Sequence, residues 1–352
     1  MKKQFAILSI VLTLISCATR HSGTHGKIEK TIKLSFGDIN LKIDTFDISE
    51  DGNLRNVVIY HDKYYIMFET YRKYTTQDFK MMVVLDKYGN FIEKVSVPDD
   101  FKNIPYYDIS IENDSLLVKE TQFEEYTFYL DEKGGELKPI KKRKLKSYQD
   151  SDYNIYTMDH GEWGGTTYFQ NKADNSVHKV EFLPDAINRI DSTYYLLQSK
   201  HFPWEHSRLL KISNPQILQQ SNLDFTGRRV NEKLVGGEFE FNNEEVSIMC
   251  SFVFKKKLLH IYSDDKSTYI GEIVDNKIQP LYKFDFNFNA FQCMHYENGK
   301  QIYGCFIHDK KYEKWKKAEF MPFNDEIKQK PVYNKGAILI IDNDSIVFHK
   351  LN

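Results

Sequence analysis

Cysteine, proline and tryptophan are scarce in this chain: four, nine and three among 352 residues. Alanine is scarce too, and no low-complexity tract interrupts the sequence. The charged fraction of 28% is spread evenly, which argues against disorder after about residue 27. Neither sign of charge dominates. With a formal net charge of −2, the chain shows no electrostatic footprint of a nucleic-acid partner. No GxSxG, P-loop or nucleophilic cysteine context is present, and no metal or cofactor motif is legible. The one leading apolar run, Phe5 to Ile15, spans only about 16 Å as a helix, short of a hydrocarbon core of ~30 Å.

That run sits behind Lys2 and Lys3 and leads into Leu14, Ile15, Ser16 and Cys17, the order of a lipobox. It predicts an export signal over residues 1–16, with a lipidated Cys17 and flexible tether over 17–26 and a single domain over 27–352. Two acyl chains on Cys17, at roughly 0.8 kcal/mol per buried CH₂, hold a protein on a membrane durably. Ala18, where inner-membrane retention favours Asp, points to the outer membrane of a bacterial envelope. Once Cys17 is lipidated, Cys250, Cys293 and Cys305 remain, an odd number that cannot all pair within the chain. Cys293 and Cys305 bracket a hairpin turning at Asn298 and Gly299. A two-residue turn throws them out of register and leaves buried thiols, whereas a three-residue loop sets them opposite for a disulfide.

Aromatics make up 14% of the chain, with 23 tyrosines and 25 phenylalanines, and favour strands over helices. One pattern recurs along the chain: an apolar run, a tight polar turn, a second apolar run. It appears at 57–68, 109–120, 187–198, 252–262, 294–306 and 337–350. More polar hairpins follow at 81–95, 126–140, 166–182 and 268–284. An inner apolar hairpin plus an outer amphipathic one makes a unit of roughly 45 residues, the size of a propeller blade. A further hairpin around 154–182 reads as an extra blade. The hairpin at 337–350 lacks an outer partner, and the N-terminal strands at 27–36 and 39–46 lack an inner one. Joining them closes a ring of six or seven four-stranded blades, an all-β propeller, with a pair of β-sandwiches as the competing architecture. The best helix candidate is 310–320.

A lipobox at Cys17 followed by blade periodicity resembles the lipid-anchored β-propeller proteins of glycan-consuming Gram-negative bacteria. That resemblance covers nearly the whole mature chain and implies a fold and an address. It transfers no catalytic residue.

In an antiparallel blade the first-to-second and third-to-fourth strand turns lie on one face, and the second-to-third loops on the other. Here the second set is longer and holds Trp163, Trp204 and Trp315. Asp159, His160, Glu162 and Trp163 adjoin Gly164 and Gly165, which permit close backbone approach. His201, Trp204, Glu205, His206 and Arg208 fall within eight residues of one another. An indole beside a carboxylate suits a sugar, whose ring face stacks while its hydroxyls find acceptors. These features predict a non-enzymatic face for a glycan, peptide or partner protein, with His160, Glu162, Trp163, His201, Trp204, Glu205, His206 and Trp315 as ligand-binding candidates. The alternative is a periplasmic glycan-active enzyme in which Glu162 and Glu205 serve as acid and base. The structural reading of the same residues has the tryptophans plugging blade interfaces and the histidines capping loops. The basic run at 138–146 reads as a solvated link, or else as a contact for anionic lipid headgroups.

Overall fold

The computed structural model describes residues 27–69, 80–121, 126–140, 147–160, 164–200, 206–223, 234–243, 246–264, 266–297, 300–319 and 332–352. Its strands form six sheets, antiparallel throughout except at one seam in the sixth, stacked face to face into a β-propeller. Blade 1 is Asn53–Tyr60, Lys63–Glu69, Lys80–Leu85 and Phe91–Val95. Blade 2 is Tyr107–Ile111, Leu116–Glu120, Thr127–Asp131 and Glu136–Ile140. Blade 3 starts with the short Tyr148–Gln149, continues through Tyr153–Asp159, Gly165–Asn171 and Val177–Val180, and borrows Gln219–Ser221 at its outer edge. Blade 4 is Ala186–Ile190, Thr193–Lys200, His206–Ile212 and Glu238–Asn243, and blade 5 is Ser247–Phe254, Lys257–Ser263, Thr268–Val274 and Lys277–Lys283.

Blade 6 settles how the ring closes. Phe288–Glu297, Lys300–Ile307, Ala337–Asp342 and Ser345–Leu351 lie in one sheet, and Gly37–Phe46 pairs in parallel with the last of them, followed outward by Ile28–Leu34. The N-terminal hairpin therefore does join the C-terminal one, as the sequence predicts. The hairpin at 337–350, however, is not an inner pair of its own. It is the outer half of the blade that begins at Phe288, so the ring has six blades.

Turn chemistry aligns the blades. His61 and Asp62, Asn113 and Asp114, Lys255 and Lys256, and Asp275 and Asn276 all take positive φ in consecutive pairs, the backbone of tight hairpin turns whose twist matches their strands. Between blades, apolar side chains fill the gaps. Val58, Met67 and Met82 of blade 1 meet Ile109, Val118 and Phe128 of blade 2, and Leu54, Ile66 and Phe68 meet Ile302, Ile338 and Leu351 of blade 6. Each such side chain, when fully buried, contributes about 1.5–3 kcal/mol.

Two α-helices and one 3-10 turn at Pro215–Ile217 lie among the described residues. Asp99–Lys102 links blades 1 and 2, and Lys310–Glu319 occupies the predicted place. No described helix is long and apolar enough to cross a membrane.

The thiol alternative is decided at Cys305. It is a free, fully buried cysteine, as is Cys250. Glu297 pairs with Lys300, which makes the turn two residues long, and Cys305 stands opposite Ala290. The two-residue register holds and the disulfide reading does not.

Candidate functional site

Inner strands all run from the face bearing the second-to-third strand links toward the face of tight turns. On the linking face, strand ends are paired closely enough to locate the links: Asp159 opposite Gly165 in blade 3, and Lys200 opposite His206 in blade 4. Glu162, Trp163, His201, Trp204 and Glu205 lie outside the described residues, as do Cys17 and residues 141–146 of the basic run. His160, His206 and Trp315 are described.

His160 sits where blade 3 begins to turn. Its backbone N–H donates to Gly164 O at 2.7 Å, tightening the turn. Its Nε2 meets Thr166 Oγ1 at 3.0 Å, and Thr166 Oγ1 donates to Glu181 Oε2 at 2.8 Å. A threonine hydroxyl has one proton, and here it goes to the carboxylate, so the imidazole donates from Nε2. Lys179 completes the chain with its Nζ 3.3 Å from Glu181 Oε1. Close backbone approach, expected of the glycine pair, is met at Gly165: a methyl group there would stand 2.5 Å from Met158 O.

His206 opens its strand half-buried. Next to it, the Ser207 hydroxyl accepts from Ile248 N at 2.8 Å, tying blade 4 to blade 5. Arg208 donates to Gln198 Oε1 and lies over Phe182 and Phe239, with its guanidinium carbon 5.7 and 5.8 Å from the ring centroids. That guanidinium is built into the fold.

Trp315 lies on the helix Lys310–Glu319, whose start is capped by Asp309: its Oδ1 accepts from Lys311 N at 2.8 Å and Tyr312 N at 2.9 Å. Its ring packs on Phe306 at 4.7 Å and Tyr312 at 5.7 Å between centroids, and Phe306 in turn stacks on Phe291 at 4.5 Å. Tyr312 also stacks on His308 at 4.2 Å. Burial and the nearby Lys316 ammonium push the His308 imidazole below its ordinary range. Trp315 thus packs the helix onto blade 6 through Phe306.

Three residues on this side of blade 2 escape the sequence patterns. Tyr106 and Tyr126 are exposed at 58% and 44%, flanking the end of Leu116–Glu120 through Thr121 N to Tyr106 O and Glu120 N to Tyr126 O. Asp108, on the inner strand, reaches the surface yet is walled in by protein. Desolvation raises its carboxyl, and Lys119 and a hydrogen bond with Asn56 of blade 1 oppose that rise. A single aspartate inside the otherwise apolar alternation of Tyr107–Ile111 is the signal that marks it. Among the described residues, no three His, Cys, Asp or Glu side chains gather closely enough to hold a metal ion.

No protein-family model matches the chain, and no curated protein does. Solved propeller structures do. The β-propeller domain of the trilobed protease from Pyrococcus furiosus is similar at 10% identity over 74% of this chain and 96% of that one, with a TM-score of 0.32. Puromycin hydrolase is similar at 10% identity over 74% of this chain, which spans 45% of the hydrolase, with a TM-score of 0.36. The propeller domain of Swd1 from Myceliophteria thermophila is similar at 8% identity over 74% and 97% of the two chains, with a TM-score of 0.36.

Proposed function

We propose that this is a lipid-anchored, non-enzymatic propeller of the bacterial envelope, held through Cys17, that uses the face of its second-to-third strand links to bind a glycan, peptide or partner protein. The observation that carries the reading is the asymmetry between faces. On the opposite face the first-to-second strand turns of blades 1, 2 and 5 are two residues long, with both residues at positive φ, and those turns offer little recognition surface. The linking face carries exposed Tyr106 and Tyr126 on blade 2 and the His160 chain on blade 3, and the sequence of its links supplies Trp163 and Trp204. A rigid ring loses little conformational freedom on binding, which favours recognition over a broad face.

A glycan array and an affinity capture with the detergent-solubilised full chain test the binding half. Bound species are expected, and Trp163→Ala with Trp204→Ala is expected to weaken them; hits unchanged by both substitutions reject this face. Metabolic labelling with palmitate tests the anchor. Label is expected on the wild-type chain and absent from Cys17→Ser, and equal labelling of the two rejects lipidation at Cys17.

A further inference from the structure

The interface between blades 4 and 5 is filled on one side only. Leu197, Phe241, Ile248 and Tyr262 pack its half nearer the linking face. Toward the tight-turn face the two sheets part around a half-open cleft of about 200 Å³. Its walls are apolar at Ile190, Leu209, Leu258 and Ile273, and polar at Tyr195, Glu240, Lys256, Lys257, His260 and Glu272.

Charge accounting singles out one wall residue. Glu272 is held by Lys257, Nζ to Oε1 at 2.6 Å, and Lys256 by Asp191 at 3.2 Å. Nearby Lys211 pairs with Glu238 at 3.2 Å. Glu240 makes no ion pair within 4 Å among the described residues, although the Lys211 ammonium acts on it from further off, and its Oε2 is shielded from solvent without a hydrogen bond. A buried carboxylate oxygen left unpaired costs about 1–3 kcal/mol or more. Glu240 itself lines the cleft, so its carboxylate is within reach of a molecule held there. Opposite it, His260 has its Nδ1 2.7 Å from Ser251 Oγ, and burial keeps the imidazole neutral, so it adds no positive charge that would repel a cation.

We propose that the cleft between blades 4 and 5 binds a small organic cation, its ammonium or guanidinium nitrogen donating to Glu240 and its aliphatic body lying on Leu209, Leu258 and Ile273. The site is separate from the linking face and does not depend on the function proposed for it. Charge-assisted hydrogen bonds to a partly desolvated carboxylate are stronger than neutral ones, which gives the cleft its preference for a cation over an alcohol of the same shape.

The test is titration of the full chain with n-butylammonium, with n-butanol and butyrate as neutral and anionic probes of similar shape, followed by NMR or calorimetry. The expected result is saturable n-butylammonium binding at least about tenfold tighter than that of either control. Glu240→Gln is expected to lower that binding at least about tenfold while the melting transition stays cooperative. Butanol binding as tightly as the ammonium overturns the proposal without recourse to any variant. So does an ammonium affinity retained in Glu240→Gln, or no saturation by concentrations on the order of 10 mM.

Discussion

His349, in the last strand, hydrogen-bonds Asp44, in the N-terminal hairpin, across the seam where the two ends of the chain meet. The other ring nitrogen of His349, Nε2, meets the Tyr64 hydroxyl of blade 1 at 3.0 Å, and Phe46 stacks on the imidazole at 4.2 Å. One side chain thus ties blade 6, its added hairpin and blade 1 together. His349→Phe keeps an aromatic ring on Phe46 and removes both hydrogen bonds. Its expected cost is about 1–3 kcal/mol, read as a lower midpoint in urea with the slope of the transition unchanged. Combining it with Asp44→Ala is expected to cost less than the sum of the two, because both act on one interaction. Strict additivity would show that the seam is not coupled through this pair.

Lys80 makes a second long-range tie. It is 8% exposed, and its ammonium donates to the carbonyls of Phe101, Lys102 and Ile104, at 3.3 Å and 3.1 Å for the first two. The carbonyls at and after the end of the short helix Asp99–Lys102 have few backbone donors, Phe101 O accepting from Ile104 N at 3.0 Å, and the ammonium supplements them from the neighbouring strand. Its charge also lies 5.2 Å from the ring centroids of Phe101 and Tyr107. Lys80→Met preserves the aliphatic stem but strands the Lys102 and Ile104 carbonyls, while Phe101 O keeps its bond from Ile104 N. A loss of about 1–3 kcal/mol is expected in thermal or chemical melts, together with faster amide exchange around residue 104. An unchanged melt would mean that water replaces the ammonium at no cost.

Two histidines bend stability with pH in opposite directions. Burial pulls His260 down to about 3, against about 6.5 in an unfolded chain. Its contribution is fully present above pH 6.5 and is lost on acidification from there toward pH 3, with a slope of up to about 1.4 kcal/mol per unit. His61 is held above its ordinary range, chiefly by its hydrogen bond to Asp114 at 2.9 Å. That contribution is present below pH 6.5 and fades as pH rises through the raised value. It is the smaller of the two because the pair is exposed. Melting temperatures from pH 8 to pH 4 are expected to fall for the wild-type chain and to fall less for His260→Gln. Parallel curves would place His260 in water in the folded state.

Blade periodicity, turn chemistry and the helix over 310–319 were legible because each depends on local residue order. The role of 337–350 was not. Ala337–Asp342 is as apolar as an inner strand because Gly37–Phe46 covers the next strand outward, making an outer pair interior to a six-stranded sheet. Only a pairing across some 300 residues reveals this. At the site, His160 was legible from its glycine-rich turn, but its link through Thr166 to Glu181 crosses strands. Helix periodicity alone does not say that Phe306 and Tyr312 will meet Trp315.

The thiols supply the last expectation. Cys250 and Cys305 are both fully buried, and burial pushes each well above the ordinary thiol range, so the reactive thiolate is suppressed and reagents cannot reach it. Cys305 is fixed opposite Ala290, and after Phe291, the next residue along the partner strand, the register shifts before resuming at His295 opposite Ile302. Iodoacetamide is therefore expected to leave both cysteines unmodified in the native chain and to label both in concentrated guanidinium without reductant. A non-reducing peptide map that links Cys305 to Cys293 would overturn the two-residue register, and with it the pairing that brings Ala337–Asp342 alongside Lys300–Ile307. Native labelling of Cys305 would instead show that the interface between blades 5 and 6 opens, since that thiol lies in the apolar cluster joining them.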